Sequence, residues 1–148
     1  MRIRRYFLSV LMAVCASTAS ANTDLKFALD WRFEGPAAPY LVALDKGYYR
    51  DEGLNVTIDP GASSVEPINR VATATYHIGF ADINSLSKFR DNPQNPPVKA
   101  VMMVYDTPAF SIVTLKDKGI TKPKDLEGKI LGAPAPDGAY AQWPIFVA

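Results

Sequence analysis

An α/β fold built on a parallel sheet is predicted by this sequence, on three observations. Short β-type runs alternate with helical ones, and turn residues separate them. Between the first two β runs, Tyr40, Leu41, Leu44 and Tyr48 recur at helical spacing. Further on, Val98–Tyr105 is a nearly continuous apolar run, as expected of a strand covered on both faces.

The first element is expected to be a leader. Arg2, Arg4 and Arg5 precede an uncharged apolar run over Tyr6–Ala16, and Thr18-Ala19-Ser20-Ala21 then offers small residues at the positions a signal peptidase reads. The apolar run is shorter than the roughly 20 residues a membrane-crossing helix needs. Cys15 lacks a small residue before it, Val14 standing there, which argues against a lipid anchor. Cleavage after Ala21 and export to the periplasm are therefore predicted.

The first strand is placed at Leu25–Trp31. A turn at Glu34-Gly35-Pro36 leads to a helix over Pro39–Lys46, with Gly47 suited to the left-handed position that ends it. Gly53 turns the chain into a second strand, Leu54–Ile58. After the loop Asp59–Ala62, Ser63 or Ser64 caps a helix over Val65–Thr75, and Pro67 fixes its first turn. Its inner stripe is Ile68, Val71, Ala72 and Thr75. A third strand is expected at His77–Ala81, a short helix from Asn84-Ser85 through Phe89, and a fourth strand at Val98–Tyr105. A new unit then begins after Asp106–Ala109: strands Phe110–Leu115 and Lys129–Ala133, a helical turn over Lys122–Leu126, and a helix starting at Asp137-Gly138. The division is a leader over residues 1–21, a first α/β lobe over 22–107, and the start of a second over 108–148. The final stretch, Tyr140–Ala148, is apolar without a cap or polar tail, which suggests the amino-terminal piece of a longer protein.

Composition excludes several functions. Without the three leader arginines, 13 Lys and Arg face 15 Asp and Glu, a net charge of −2 and no footprint for nucleic acid. Cys15, the only cysteine, lies within the leader, so the mature chain has no disulfide and no thiolate site. His77 is the single histidine and no Gly-x-Ser-x-Gly elbow is present, so neither a hydrolase triad nor a metal site is supported.

Several motifs resemble those of one family. Ala43-x-x-Lys46-Gly47-Tyr48-Tyr49-x-x-Glu52-Gly53-Leu54-x-Val56 is similar to its signature helix-turn-strand, and Leu29-Asp30-Trp31 before it and Lys124-Asp125-Leu126-Glu127-Gly128-Lys129 after it also match. The family is the periplasmic solute-binding proteins of ABC transporters for nitrate, sulfonates, taurine and pyrimidine precursors of thiamine. The fungal thiamine-pyrimidine synthases share its fold. The resemblance implies a two-lobed, type II periplasmic-binding fold of roughly twice this length. Its Leu-Asp-Trp opening leans toward the thiamine-pyrimidine branch.

The ligand site is expected outside the carboxyl ends of the strands, where helix amino termini also point. Those ends supply Trp31, Glu34, Ser63, Ser64, Asp82, Asn84, Tyr105, Asp106, Asp137 and Tyr140 as candidate ligand-binding residues. The serines, Asn84 and Asp137 have a second role open to them as helix caps. Glu34, Asp82, Asp106 and Asp137 are acidic, while Arg32 is the only base at these ends. Carboxylates repel a nitrate or sulfonate but accept hydrogen bonds from a heteroaromatic bearing amino groups. Trp31, Tyr105 and Tyr140 would supply aromatic faces.

The reading is capture, not catalysis: no catalytic residue, metal or cofactor is assigned. A monomer would hold a small solute between two lobes and hand it to a membrane permease. The alternatives are a sulfonate, taurine or nitrate in the same role, or an enzyme resembling the fungal synthases. The resemblance implies a catalytic histidine in those enzymes. His77, however, falls at the start of a strand, away from the ligand end.

Overall fold

The computed structural model describes residues 22–107, 110–134 and 137–148. The expected leader lies outside the described residues, as do Pro108 and Ala109 in the expected lobe boundary.

The sheet forms around β1 (Thr23–Ala28). It pairs in parallel with β2 (Leu54–Asp59), from Thr23 opposite Leu54 to Ala28 opposite Asp59. On its other edge it pairs in parallel with β3 (Ile78–Gly79), giving the order β2-β1-β3. β1 leaves the ladder three residues earlier than predicted, so Leu29, Asp30 and Trp31 follow the strand instead of ending it. Val56 and Ile58 alternate with the exposed Asn55 and Thr57, as a strand buried on one face requires. The core joins them to Phe27, Leu29 and Ala37, with Leu25, Tyr40, Leu41, Tyr49, Leu54 and Phe80 packed around it. The Phe27 and Tyr40 rings meet edge to face, 5.1 Å apart.

A 3₁₀ turn over Gly35–Ala37 leads into α1 (Ala38–Asp45). Gly47, at φ +79°, ends α1 as predicted, and the chain restarts as α2 (Tyr48–Asp51). That restart rotates the expected inner stripe. Tyr40 and Leu41 reach the core, Tyr49 joins them, and Leu44 and Tyr48 stay exposed. The third helix, α3 (Val65–Ala72), buries Pro67 and Ile68. It stops before the predicted Thr75. The Thr73 hydroxyl donates to the Asn69 carbonyl at 2.9 Å, and Ala74 sits at φ +55°.

β3 is shorter than predicted because a side chain replaces part of its ladder. His77 N–H donates to the Lys26 carbonyl at 3.1 Å, and the Lys26 N–H donates to His77 Nδ1 at 2.9 Å. The imidazole thus serves as a strand acceptor at the amino end of β3, beside the middle of β1. α4 (Ile83–Arg90) follows, one residue earlier than predicted, with Asp82 as its cap.

The three later strand expectations are corrected. Val98–Tyr105, Phe110–Leu115 and Lys129–Ala133 form no strands among the described residues. Val101 is 83% exposed, Val113 90% and Ile130 100%. Apolarity signals burial but does not supply a partner. β1 takes one edge of β3, and none of these runs is hydrogen-bonded along the other. Pro123–Leu126 is a 3₁₀ turn, close to the predicted helical turn. The chain ends in α5 (Gly138–Ala141) and α6 (Trp143–Val147), where the Trp143 and Phe146 rings stack 5.4 Å apart. Among the described residues no helix is long and apolar enough to cross a membrane.

Candidate functional site

Past the carboxyl end of β1 the chain stays beside β2. Leu29 N–H donates to the Asp59 carbonyl at 2.9 Å, and Gly61 N–H to the Trp31 carbonyl at 3.2 Å. A Cβ at Gly61 would stand 2.1 Å from the Leu29 carbonyl oxygen, so only glycine allows this approach. The approach carries Ser63 and Ser64 to the end of the sheet, where both are buried.

Here a cavity of about 110 Å³ opens, lined by Asp30, Trp31, Ser63, Ser64, Phe110, Asp137 and Gly138. Four of the ten predicted site residues, Trp31, Ser63, Ser64 and Asp137, are brought together there. Gly138 lets the turn before α5 come close: a Cβ on it would lie 3.3 Å from the Phe110 ring and 3.5 Å from Ser64 Oγ and Asp82 Cβ. Asp82 therefore stands at the cavity's margin.

The open choice between capping and ligand contact divides the candidates. Ser63 Oγ accepts from the Glu66 N–H at 3.3 Å, a capping bond. Ser64 makes no capping bond, and its hydroxyl donates to Asp30 Oδ2 at 3.4 Å. Asp82 caps α4, accepting from the Ser85 N–H at 2.9 Å and the Ser85 hydroxyl at 3.2 Å. Asp137 caps α5 through the Ala139 N–H at 3.1 Å while also lining the cavity.

The other candidates lie outside the lining. Glu34 is exposed at the start of the 3₁₀ turn and makes no capping bond. Asn84 donates to Asp82 Oδ1 at 3.3 Å and faces solvent. Asp106 accepts from the Thr107 hydroxyl, also at 3.3 Å. Tyr140 is half exposed on α5. Tyr105 closes a chain of aromatic rings running from Phe27 through Tyr40 and Phe80, its ring 6.1 Å from that of Phe80.

Asp30 and Phe110 are site residues that sequence reasoning missed. Asp30 stood in the Leu29-Asp30-Trp31 motif, but strand alternation would turn it away from the face of Trp31. With β1 ending at Ala28, both side chains line the cavity. Burial pushes the Asp30 carboxyl above the usual carboxylate range, and the charges of Asp137 and Asp82 add to the push. Its own backbone N–H and the Ser64 hydroxyl oppose it. None of the described lining residues is basic. Among the described residues no group of three or more His, Cys, Asp or Glu is placed to hold a metal ion.

A second cavity, of about 190 Å³, is lined by Leu44, Tyr49, Arg50, Leu54, Asn55 and Val56. It sits at the amino end of β2, opposite the predicted ligand end.

Residues 36–142 match the family model described as NMT1/THI5 like. A 4-amino-5-hydroxymethyl-2-methylpyrimidine phosphate synthase of Aspergillus parasiticus is 31% identical over 114 residues, 75% of this chain and 32% of the relative. The riboflavin-binding protein RibY of Chloroflexus aurantiacus is 33% identical over 98 residues, 66% of this chain and 28% of the relative. The formylaminopyrimidine-binding protein of Halalkalibacterium halodurans is 25% identical over 138 residues, 90% of this chain and 41% of the relative. The chain thus spans 28% to 41% of the length of these relatives. No solved structure matches it.

Proposed function

The chain belongs to the NMT1/THI5-like family, and on that premise we propose that it captures a small aminopyrimidine of the thiamine-precursor type for an ABC importer. In this reading the leader is cleaved after Ala21, the protein works in the periplasm as a monomer, and a membrane permease receives the solute. Residues 22–107 contribute one lobe of a type II periplasmic-binding fold and residues 108–148 begin the other.

The observation that carries the ligand class is the makeup of the 110 Å³ cavity, which has aromatic and carboxyl groups and no described base. The Trp31 and Phe110 rings suit a flat heteroaromatic, since base–aromatic stacking contributes about 1–3 kcal/mol. An anion would seek the helix amino termini, but Asp82 and Asp137 already cap α4 and α5 with carboxylates. The names of two relatives, a formylaminopyrimidine-binding protein and a pyrimidine phosphate synthase, point to the same chemistry.

The synthase relative supports a second reading, an enzyme that makes such a pyrimidine. Against it stands His77, which is outside the cavity lining and whose Nδ1 is occupied by the Lys26 N–H at the start of β3.

A fluorescence and thermal-shift titration of the intact protein against 4-amino-5-hydroxymethyl-2-methylpyrimidine, taurine, an alkanesulfonate and nitrate tests the proposal. Saturable binding of the aminopyrimidine alone, unchanged in His77→Ala, is expected. Micromolar binding of taurine or nitrate with the aminopyrimidine inert would refute the ligand class. A metal-dependent turnover abolished by His77→Ala would replace capture by catalysis.

A further inference from the structure

Between β2 and α3 the chain carries Ser63 and Ser64, which form one side of the 110 Å³ cavity. Outside that lining, Glu66 and Arg70 stand one helical turn apart on α3. Their side chains form an ion pair, and both are partly exposed, so the charges alone contribute little. The remaining atoms of the pair distinguish it. Glu66 Oε2 accepts from the Ala62 N–H at 2.7 Å, and Arg70 Nη1 donates to the Pro60 carbonyl at 3.2 Å. The pair therefore grips the loop by two backbone groups, one on each side of Gly61.

Gly61 is the residue through which the loop meets the Trp31 side of the cavity. Its N–H donates to the Trp31 carbonyl at 3.2 Å, and a Cβ on it would strike the Leu29 carbonyl. Past the grip, Ser63 Oγ accepts from the Glu66 N–H at 3.3 Å, and the Ser64 hydroxyl reaches Asp30 Oδ2 at 3.4 Å. Tyr76 anchors the other end. Its ring centre lies 4.9 Å from the Arg70 guanidinium, and its hydroxyl donates to Asp59 Oδ2 at 2.9 Å, where β2 ends. A planar guanidinium can donate in two directions while its face rests on a ring, which a single ammonium cannot do.

A glutamate in the first turn also stabilises its own helix start, and that alone would explain the Ser63 bond. It does not explain why Arg70 donates to a carbonyl ten residues back in the chain. We infer that Glu66 and Arg70 are positioning residues of the cavity. They touch no solute, but they fix residues 60–64 so that Trp31 and the two serines keep the spacing a solute needs. The role rests on the cavity being the solute site, as proposed above, and one of its readouts needs no solute.

That readout is amide exchange at Gly61 in the free intact protein, since neither alanine variant removes an atom that Gly61 bonds. Glu66→Ala and Arg70→Ala should each speed Gly61 exchange about tenfold beyond any change at the β2 amides, which report wider unfolding. Equal changes at both places would make the pair merely structural and overturn the inference.

The second readout is titration with 4-amino-5-hydroxymethyl-2-methylpyrimidine, under conditions where every variant is fully folded. Each alanine variant should bind about tenfold more weakly than wild type, the effect of losing one hydrogen bond to a charged group. The double variant should lose no more than about twofold beyond either single, because the two side chains act as one clamp. Glu66→Gln, whose amide oxygen can still accept from Ala62, should recover to within about threefold of wild type. Val56→Ala, a change in the buried face of β2, should lower stability but leave affinity within about twofold. Unchanged affinity in both alanine variants, losses that multiply in the double variant, or a Glu66→Gln as weak as Glu66→Ala would each overturn the clamp. If the wild type binds no aminopyrimidine, the functional reading fails, while Gly61 exchange still decides whether the clamp exists.

Discussion

Residues 23–90 and residues 98–134 of this chain have similarly apolar runs and very different structures. The first region wraps α1, α2 and α3 around a three-stranded sheet and buries Phe27, Leu29, Val56, Ile58 and Ile68. Among its described residues the second holds two 3₁₀ turns and no strand or α-helix, with Val101, Met102, Val113, Leu115 and Ile130 well exposed. The difference lies in partners. β1 has a neighbour on each edge, whereas among the described residues no run after Arg90 enters a ladder. Hydrophobicity drives burial, but a strand also needs its backbone groups paired, and that requirement separates the regions.

The comparison breaks most easily through side-chain truncation. Leu29→Ala should cost about 2–5 kcal/mol in urea unfolding, because Leu29 is buried against both strands. Ile130→Ala, at a fully exposed residue, should stay within about 0.5 kcal/mol. Equal losses would mean that the second region is packed in solution.

A glycine in the first region offers the next test. Gly61→Ala would force its Cβ against the Leu29 carbonyl and should cost about 1–3 kcal/mol, detected as a lowered urea midpoint. Gly132→Ala, where a Cβ meets nothing, should leave the midpoint in place.

A smaller effect sharpens the comparison at the edge of the first region. The Tyr76 hydroxyl donates to Asp59 Oδ2 at 2.9 Å, beneath the Arg70 guanidinium. Tyr76→Phe keeps the ring under Arg70 and should cost about 0.5–1.5 kcal/mol in the same assay. No loss would show that this contact is open in solution.

The smallest effect is one of sign, and it ties the packed region to the cavity. Because burial raises the Asp30 carboxyl, the folded chain holds more protons than the unfolded one from pH 3.8 up to the raised value. Its contribution is therefore present at low pH and lost as pH rises through that window. Asp30→Asn should melt higher than wild type at neutral pH, and the gap should close on acidification. A gap that widens on acidification would place Asp30 in an ion pair.

Sequence reading recovered the packed region well, because local chemistry marks its boundaries. Gly47 ends α1, Pro67 sits in the first turn of α3, and Gly53 turns the chain into β2, each within two residues of expectation. It failed where partners decide. Val98–Tyr105 carries every local sign of a buried strand and lies exposed. The candidate site was legible as a place, the carboxyl ends of the strands, but not as a full membership. Asp30 was missed because the strand was placed through Trp31, so that its carboxyl end began there, and Phe110 because a residue 79 positions from Trp31 carries no local mark of contact with it.

The central position of β1 also fixes the order in which the chain can gain its structure. Its partners lie far along the sequence: Thr23 meets Leu54, and Phe27 meets Ile78. No hairpin nucleates this sheet, since parallel pairing demands a crossover. The helices between the strands can form locally in about a microsecond, while the first strand synthesised waits for residues 31 and 51 positions downstream. Chain-closure entropy separates those two pairings by only about 0.4 kcal/mol. Which edge of β1 zips first is thus decided by contact energy, and the ladder of six residue pairs to β2 outweighs the two-pair ladder to β3. The β3 edge is the later and more reversible of the two, so slow folding and local opening should both be read there.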